Sequence, residues 1–155
     1  MKLFLYLPKY EDLWFRQKML SDEETMSFNK AWGGTISFPI EKWEKWYAHW
    51  IVHNDGKRYY RYLQNENKEF VGEIAYHYDE KYAGYMVDVL VLAAYRGKGY
   101  GCLGLQMLCD EAKRNSISTL YDDIAINNPS IFIFLKLGFK EQYRTDSIIL
   151  LKKKL

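Results

Sequence analysis

The stretch from Tyr85 to Arg114 constrains the fold more than any other, because it reads as a buried strand, a basic glycine loop and a helix. Met86 to Leu92 is apolar and largely β-branched, interrupted only by Asp88, as in a strand covered on both faces of a sheet. Beyond the loop from Ala93 to Lys98, Leu103, Leu105, Met107, Leu108 and Ala112 return at helical spacing. Lys113 and Arg114 close the helix at the end its dipole favours for cations.

Gly97, Gly99 and Gly101 sit where the chain turns into that helix. The opening N–H groups of a helix have no internal partners and carry partial positive charge, so an anion, above all a phosphate, is their natural ligand. Glycine lets the backbone approach phosphate oxygens, and Arg96 and Lys98 add cations. No window supplies the Gly-x-x-x-x-Gly-Lys-Ser/Thr of a P-loop. Gly99-Tyr100-Gly101-Cys102-Leu103-Gly104 does satisfy the dinucleotide fingerprint G-x-G-x-x-G, with Asp122 or Asp123 downstream. Register argues against that Rossmann-type reading: Ala93 to Lys98 separate the strand from the first glycine, and too little chain follows for further βα units.

The hexad Arg96-Gly97-Lys98-Gly99-Tyr100-Gly101 resembles the pyrophosphate signature Gln/Arg-x-x-Gly-x-Gly/Ala of the GNAT superfamily of acyl-CoA-dependent N-acyltransferases. A second segment, Asn127-Asn128-Pro129-Ser130 leading to Phe134 and Gly138-Phe139, resembles that superfamily's Asn-x-x-Ala…Tyr-x-x-x-Gly-Phe helix. The resemblance implies an α/β (α+β) domain built on a mixed, mostly antiparallel sheet of about seven strands flanked by four helices. It implies acetyl-CoA as co-substrate, no metal, and direct attack of an amine on the thioester in a ternary complex. The backbone of Leu90, Val91 and Leu92 would hold the pantetheine arm. Gly97, Lys98, Gly99, Tyr100 and Gly101 would hold the pyrophosphate with Arg96 as ionic partner, and Asn127 and Ser130 would add contacts. The chain departs from the pattern at Phe134, where many members carry a tyrosine that protonates the departing thiolate. A thiol of pKa ~8.5 leaves tolerably without such help, and a non-catalytic acyl-CoA-binding or sensing module is the alternative that this substitution raises.

A chain of 155 residues fits one domain, and a net charge of +2 speaks against a dominant nucleic-acid or anionic-membrane role. No apolar run approaches the ~18 residues of a membrane span, and the opening residues lack a signal peptide's apolar core, so a cytoplasmic monomer or homodimer is expected. Cys102 and Cys109 lie about 10 Å apart along one helix, beyond disulfide reach. His49 and His53 lack a third metal ligand.

In chain order, Lys2–Leu7 reads as a strand and Tyr10–Leu20 as a helix, followed by a long irregular segment from Ser21 to Pro39 and a tryptophan-rich helix over Ile40–His53. In that helix Ile40, Trp43, Tyr47, Trp50 and Ile51 form one face, with Trp46 off it. Strands follow over Lys57–Gln64 and Lys68–Tyr78, then Ile117–Ile126 parallel to the Met86–Leu92 strand, a helix over Pro129–Leu137, and a closing hairpin.

Transfer to an amine needs a group to accept the amine proton, and Glu73 and Asp88 each interrupt an otherwise apolar or aromatic strand, where a carboxylate is costly unless paired or functional. Tyr121 is a candidate acid in place of the missing tyrosine. Phe28, Trp32 and Trp46, with Asp22, Glu23 and Glu24, suit a small cationic amine or an amino-terminal peptide as acceptor.

Overall fold

The computed structural model describes residues 1–155. Seven strands form one sheet in the order β1-β2-β3-β4-β5-β7-β6: β1 (Leu3–Tyr6), β2 (Arg58–Asn65), β3 (Phe70–Asp79), β4 (Gly84–Val91), β5 (Thr119–Ala125), β6 (Lys140–Arg144) and β7 (Ile148–Lys154). Only β4 and β5 run parallel. Between them lies α3 (Tyr100–Arg114), whose crossover lets two strands run the same way. One parallel pair is too few for a doubly wound dinucleotide fold, so the Rossmann-type reading of Gly99–Gly104 falls.

The two faces of the sheet carry different cores. Leu105, Leu108 and Ala112 of α3 and Phe134 of α4 (Ile131–Lys136) pack with Ile74, Val87, Leu120, Ile124 and Leu151. On the opposite face, Phe15 and Met19 of α1 (Leu13–Ser21) pack on Tyr60, Tyr62 and Ala75. Leu13, Leu20, Met26, Phe38 and Trp43 then fasten α2 (Trp43–Tyr47) and the irregular segment over α1.

Two helices differ in winding from a uniform α-helical reading. Tyr10–Asp12 is a 3₁₀ turn leading into α1. The tryptophan-rich stretch opens as a 3₁₀ turn (Ile40–Lys42), becomes α2, and ends as a π-helical turn (Ala48–Val52) closed by His53 N–H on the Ala48 carbonyl at 2.7 Å. Its inward face is accordingly revised. Ile40 is exposed, whereas Trp46 turns in, stacked on Trp50 and edge-on to Tyr60.

The sheet is split at its centre. β4 and β5 pair only through Tyr85 with Leu120 and Met86 with Tyr121, whereas β3 and β4 stay in register from Gly84 to Val91. Beyond Met86 one edge of β4 is therefore bare, and the strands part into a V.

Candidate active site

The V opens into a cavity of about 570 Å³ that reaches both faces of the sheet. Its mouth is the turn into α3. Gly97 and Gly99 adopt φ of 79° and 88°, a left-handed backbone suited to glycine, and Gly99 caps the helix with no side-chain bond. Because the first bond reaching back to Gly99 comes from Leu103, the N–H groups of Tyr100, Gly101 and Cys102 remain open to an anion. A Cβ added at Gly97 would meet nothing within 4 Å, so the space there is open, whereas one at Gly99 would meet the flexible end of the Met1 side chain at 3.1 Å. Backbone and dipole here fit a pyrophosphate.

Of the two cations expected to assist, Arg96 lines the cavity and Lys98 does not. The Arg96 guanidinium donates to the carbonyls of Glu24 (3.1 Å) and Thr25 (2.6 Å), orphan acceptors of the irregular segment that need a donor. The Lys98 ammonium lies 5.7 Å over the ring of Tyr95, itself a cavity-lining residue. Of the residues expected on the last helix, Ser130 lines the cavity, but Asn127 is exposed outside it. Asn128 stands there instead, its side-chain oxygen accepting from Ser130 N–H at 2.9 Å.

The inner wall is β4. Leu92 N–H donates to the Val71 carbonyl, and the Leu92 carbonyl accepts from Tyr95, so both its peptide groups are engaged within the chain. Bonding alternates along an antiparallel ladder, so Leu90 and Asp88 also direct their peptide groups at β3, and those of Val89 and Val91 face the bare edge. The backbone available to an extended ligand is thus Val89 and Val91 rather than all of Leu90–Leu92.

Acidic side chains cluster where the strands part. Cross-strand partners share a face, which places Glu73, His77, Asp88 and Asp123 on the α1/α2 side and Asp122 on the α3/α4 side with Leu120 and Ile124. Asp88, Asp122 and Asp123 all line the cavity. Loss of bulk water raises the Asp88 carboxyl above its usual range, with His77 pulling it back. Asp88 nevertheless keeps 60% of its side chain accessible within the cavity. Burial pushes Asp122 well up, and the Asp88 and Asp123 charges push it further. Asp123 is raised mainly by burial. His77 Nδ1, itself without a hydrogen-bond partner, lies 3.9 Å from Asp88, and Nε2 lies 4.0 Å from Asp79.

Glu73 lines the same cavity, but its lone pairs are occupied. Arg16 Nη1 donates to its two oxygens at 2.9 and 2.8 Å, and the Tyr60 hydroxyl donates to Oε2. Phe38, Trp46 and Tyr60 surround the guanidinium, with Trp46 at 4.6 Å. Glu73 is held in an ion pair while Asp88 stands open to the chamber, which makes Asp88 the better placed of the two candidate bases. Tyr121 does not line the cavity. It sits in the closed part of the sheet, its ring against Gly84 and stacked on Tyr82, so it is not positioned as an acid for the cleft. Phe134 does line the cavity, buried against Phe139.

Phe28, Trp32 and Trp46 all line the chamber on the α1/α2 side, with Trp50 and Tyr60. Glu23 and Glu24 do not, and Asp22 is taken by Thr25. The acids of the chamber come instead from β3, β4 and β5. Arg16, Asp122 and Asp123 escaped sequence reasoning. The Arg16 partner lies on a distant strand, and the aspartate pair carried only a mistaken dinucleotide signal.

A sheet parted beside a glycine-opened helix, with a chamber of aromatics and carboxylates behind the parting, defines an acyl-CoA-type transferase architecture. The chain belongs to the acetyltransferase (GNAT) family, whose model matches residues 17–139. Among curated proteins it is 28% identical, over 91 residues, to the [ribosomal protein bS18]-alanine N-acetyltransferase of Haemophilus influenzae; that match spans 59% of this chain and 62% of the relative. Its fold is shared by the spermidine N-acetyltransferase of Vibrio cholerae solved with CoA and spermine (TM-score 0.83, 16% identity, 98% of this chain and 95% of that one). An N-acetyltransferase of Staphylococcus aureus is also similar (TM-score 0.79, 21% identity, 99% of each chain). The acetyltransferase yncA of Salmonella typhimurium, solved with acetyl-CoA, matches with a TM-score of 0.78 at 17% identity, over 100% of this chain and 95% of that one. No helix is long and apolar enough to cross a membrane.

Proposed function

We propose that the chain is an N-acetyltransferase that carries an acetyl group from acetyl-CoA to a primary amine of a small molecule or peptide by direct attack in a ternary complex. One observation carries this reading: the β4–β5 cleft joins the open helix start at Gly99 to the chamber holding Asp88 in a single cavity. A pyrophosphate at Gly97–Gly101 and a pantetheine arm on the Val89 and Val91 peptides would bring the thioester to the apex. Asp88, with its carboxyl raised above its ordinary value by desolvation and open to the chamber, is suited to take the proton of an attacking amine.

The chamber's charge favours a cationic acceptor. Of the two guanidiniums lining the cavity, Arg16 is paired with Glu73 and Arg96 is bonded to the Glu24 and Thr25 carbonyls at the mouth, so a substrate carboxylate would face Asp88 and Asp123. Aromatic faces and carboxylates both attract ammonium groups. Calorimetry with acetyl-CoA, followed by colorimetric thiol release over a panel of aromatic amines, polyamines and amino-terminal peptides, tests this. Micromolar binding and turnover on cationic amines are expected. Phe134 favours the rival reading of an acyl-CoA sensor, for which cofactor binding with no turnover on any amine would decide.

A further inference from the structure

We infer that Asp122 is the acid of the reaction, donating the proton that the departing CoA sulfur needs where Phe134 offers none. The inference rests on the acetyl-transfer reading above and extends it to the fate of the thiolate. Asp122 is the first residue of β5 beyond its pairing with β4, at the apex of the V. The residue is 8% exposed and lines the cavity, and no other side chain bonds its carboxyl, the backbone N–H of Asp123 being the one group that favours its charge. A carboxyl this enclosed, with no cation or side-chain donor bonded to it, is best tolerated neutral. It projects to the α3/α4 face, the side of the glycine turn, Cys102, Ser130 and Phe134, whereas Asp88 projects to the side of the acceptor chamber. The two carboxyls thus stand on opposite sides of the parting through which the thioester would pass.

The surroundings leave Asp122 its proton. Asp88 from β4 and the neighbouring Asp123 both oppose its ionisation. Across from it β7 offers Leu151, and the Lys153 ammonium on that strand is held by the Leu137 carbonyl. From α3 and α4 the cavity wall presents Cys102, Leu105, Ile133 and Phe134, none of them a cation. Arg16 and Glu73 neutralise one another, and His77 faces Asp88.

The step balances. The amine nitrogen attacks the thioester carbon, the C–N bond forms, and its proton passes to Asp88. As the C–S bond breaks its electron pair goes to sulfur, and the Asp122 proton goes there too, giving the amide and free thiol. Asp88 is then protonated and Asp122 ionised, and proton exchange through water in the open cleft restores the starting state.

The test compares Asp122→Asn and Asp122→Glu with the unaltered chain, using acetyl-CoA and the best amine of the panel. Asp122→Asn should bind acetyl-CoA within twofold by calorimetry while kcat falls by about 100-fold, the lower end of what a positioned acid contributes. The alkaline fall of kcat in the unaltered chain should disappear in that variant, and Asp122→Glu, which keeps a proton to give, should retain it with partial rate. Unchanged kcat and an unchanged alkaline limb in Asp122→Asn would overturn the inference alone. So would a parallel loss of acetyl-CoA binding, which would mark a role in seating the cofactor. Acetyl-CoA binding without thiol release by the unaltered chain on any amine would overturn the acetyltransferase reading itself.

Discussion

Single residues at the centre of the sheet set both stability and chemistry. Glu73 shows how a buried acid reads differently alone and in its surroundings. Its interruption of an apolar strand was visible in the sequence, but Arg16, which turns it from a candidate base into half of an ion pair, lies 57 positions away. Replacing Glu73 by Gln leaves that guanidinium buried and uncompensated and should cost about 3–5 kcal/mol in urea denaturation. The double change Arg16→Met with Glu73→Gln should recover most of this, because packing replaces charge on both sides. Asp122 makes a second prediction, with the opposite sign. Its carboxyl is raised in the folded state, so above the ordinary carboxylate range the native chain holds a proton that the unfolded chain has released. Stability then falls as pH rises from that range toward the folded pKa. Asp122→Asn should therefore raise the melting temperature at neutral pH relative to pH 4, and a gain that did not grow with pH would contradict the assignment.

At the scale of elements, the strand–turn–helix from Gly84 to Arg114 was legible because three independent signals coincide there: an apolar β-branched run, clustered glycines and helical periodicity. The segment between α1 and α2 was not, since its order comes from contacts far away in the chain. Thr25, 2% exposed, accepts from Ala93 N–H at 2.9 Å and donates to Asp22, while Arg96 reaches the Glu24 and Thr25 carbonyls. This clasp ties the wall that bears Phe28 and Trp32 to the turn that opens α3. Arg96, expected beside the phosphate, lines the cavity and also holds these carbonyls, which bind the segment to the turn. Thr25→Val keeps the shape but strands the Ala93 N–H, at a cost of about 1–3 kcal/mol. It should raise the amine KM more than the acetyl-CoA KM, and Thr25→Ser should restore both. Equal movement of the two constants would show that the clasp serves folding only.

Over the whole molecule, the split between β4 and β5 divides the sheet into β1–β4 and β5–β7, joined by two residue pairs and by α3. That parting could not be read from residue pattern, because a strand with one bare edge has the same apolar alternation as a fully paired one. It has a measurable signature in hydrogen exchange. In the free chain, Leu90 N–H is bonded to β3 and should exchange slowly. The N–H groups of Val89 and Val91 face the gap and should exchange fast, despite lying in the central strand of the sheet. Binding of acetyl-CoA would lay its amide-bearing arm along this edge, so Val89 and Val91 should gain protection while Leu90 changes little. The same ligand, bridging the two halves, should raise the melting temperature, by an amount equivalent to about 2.7 kcal/mol at a hundredfold excess over Kd. The double change Gly99→Glu with Gly101→Glu places side chains and negative charge at the helix opening, and should abolish both effects. Thermal stabilisation that persisted without new protection at Val89 and Val91 would mean that the arm lies elsewhere, and the role assigned to the bare edge of β4 would be lost.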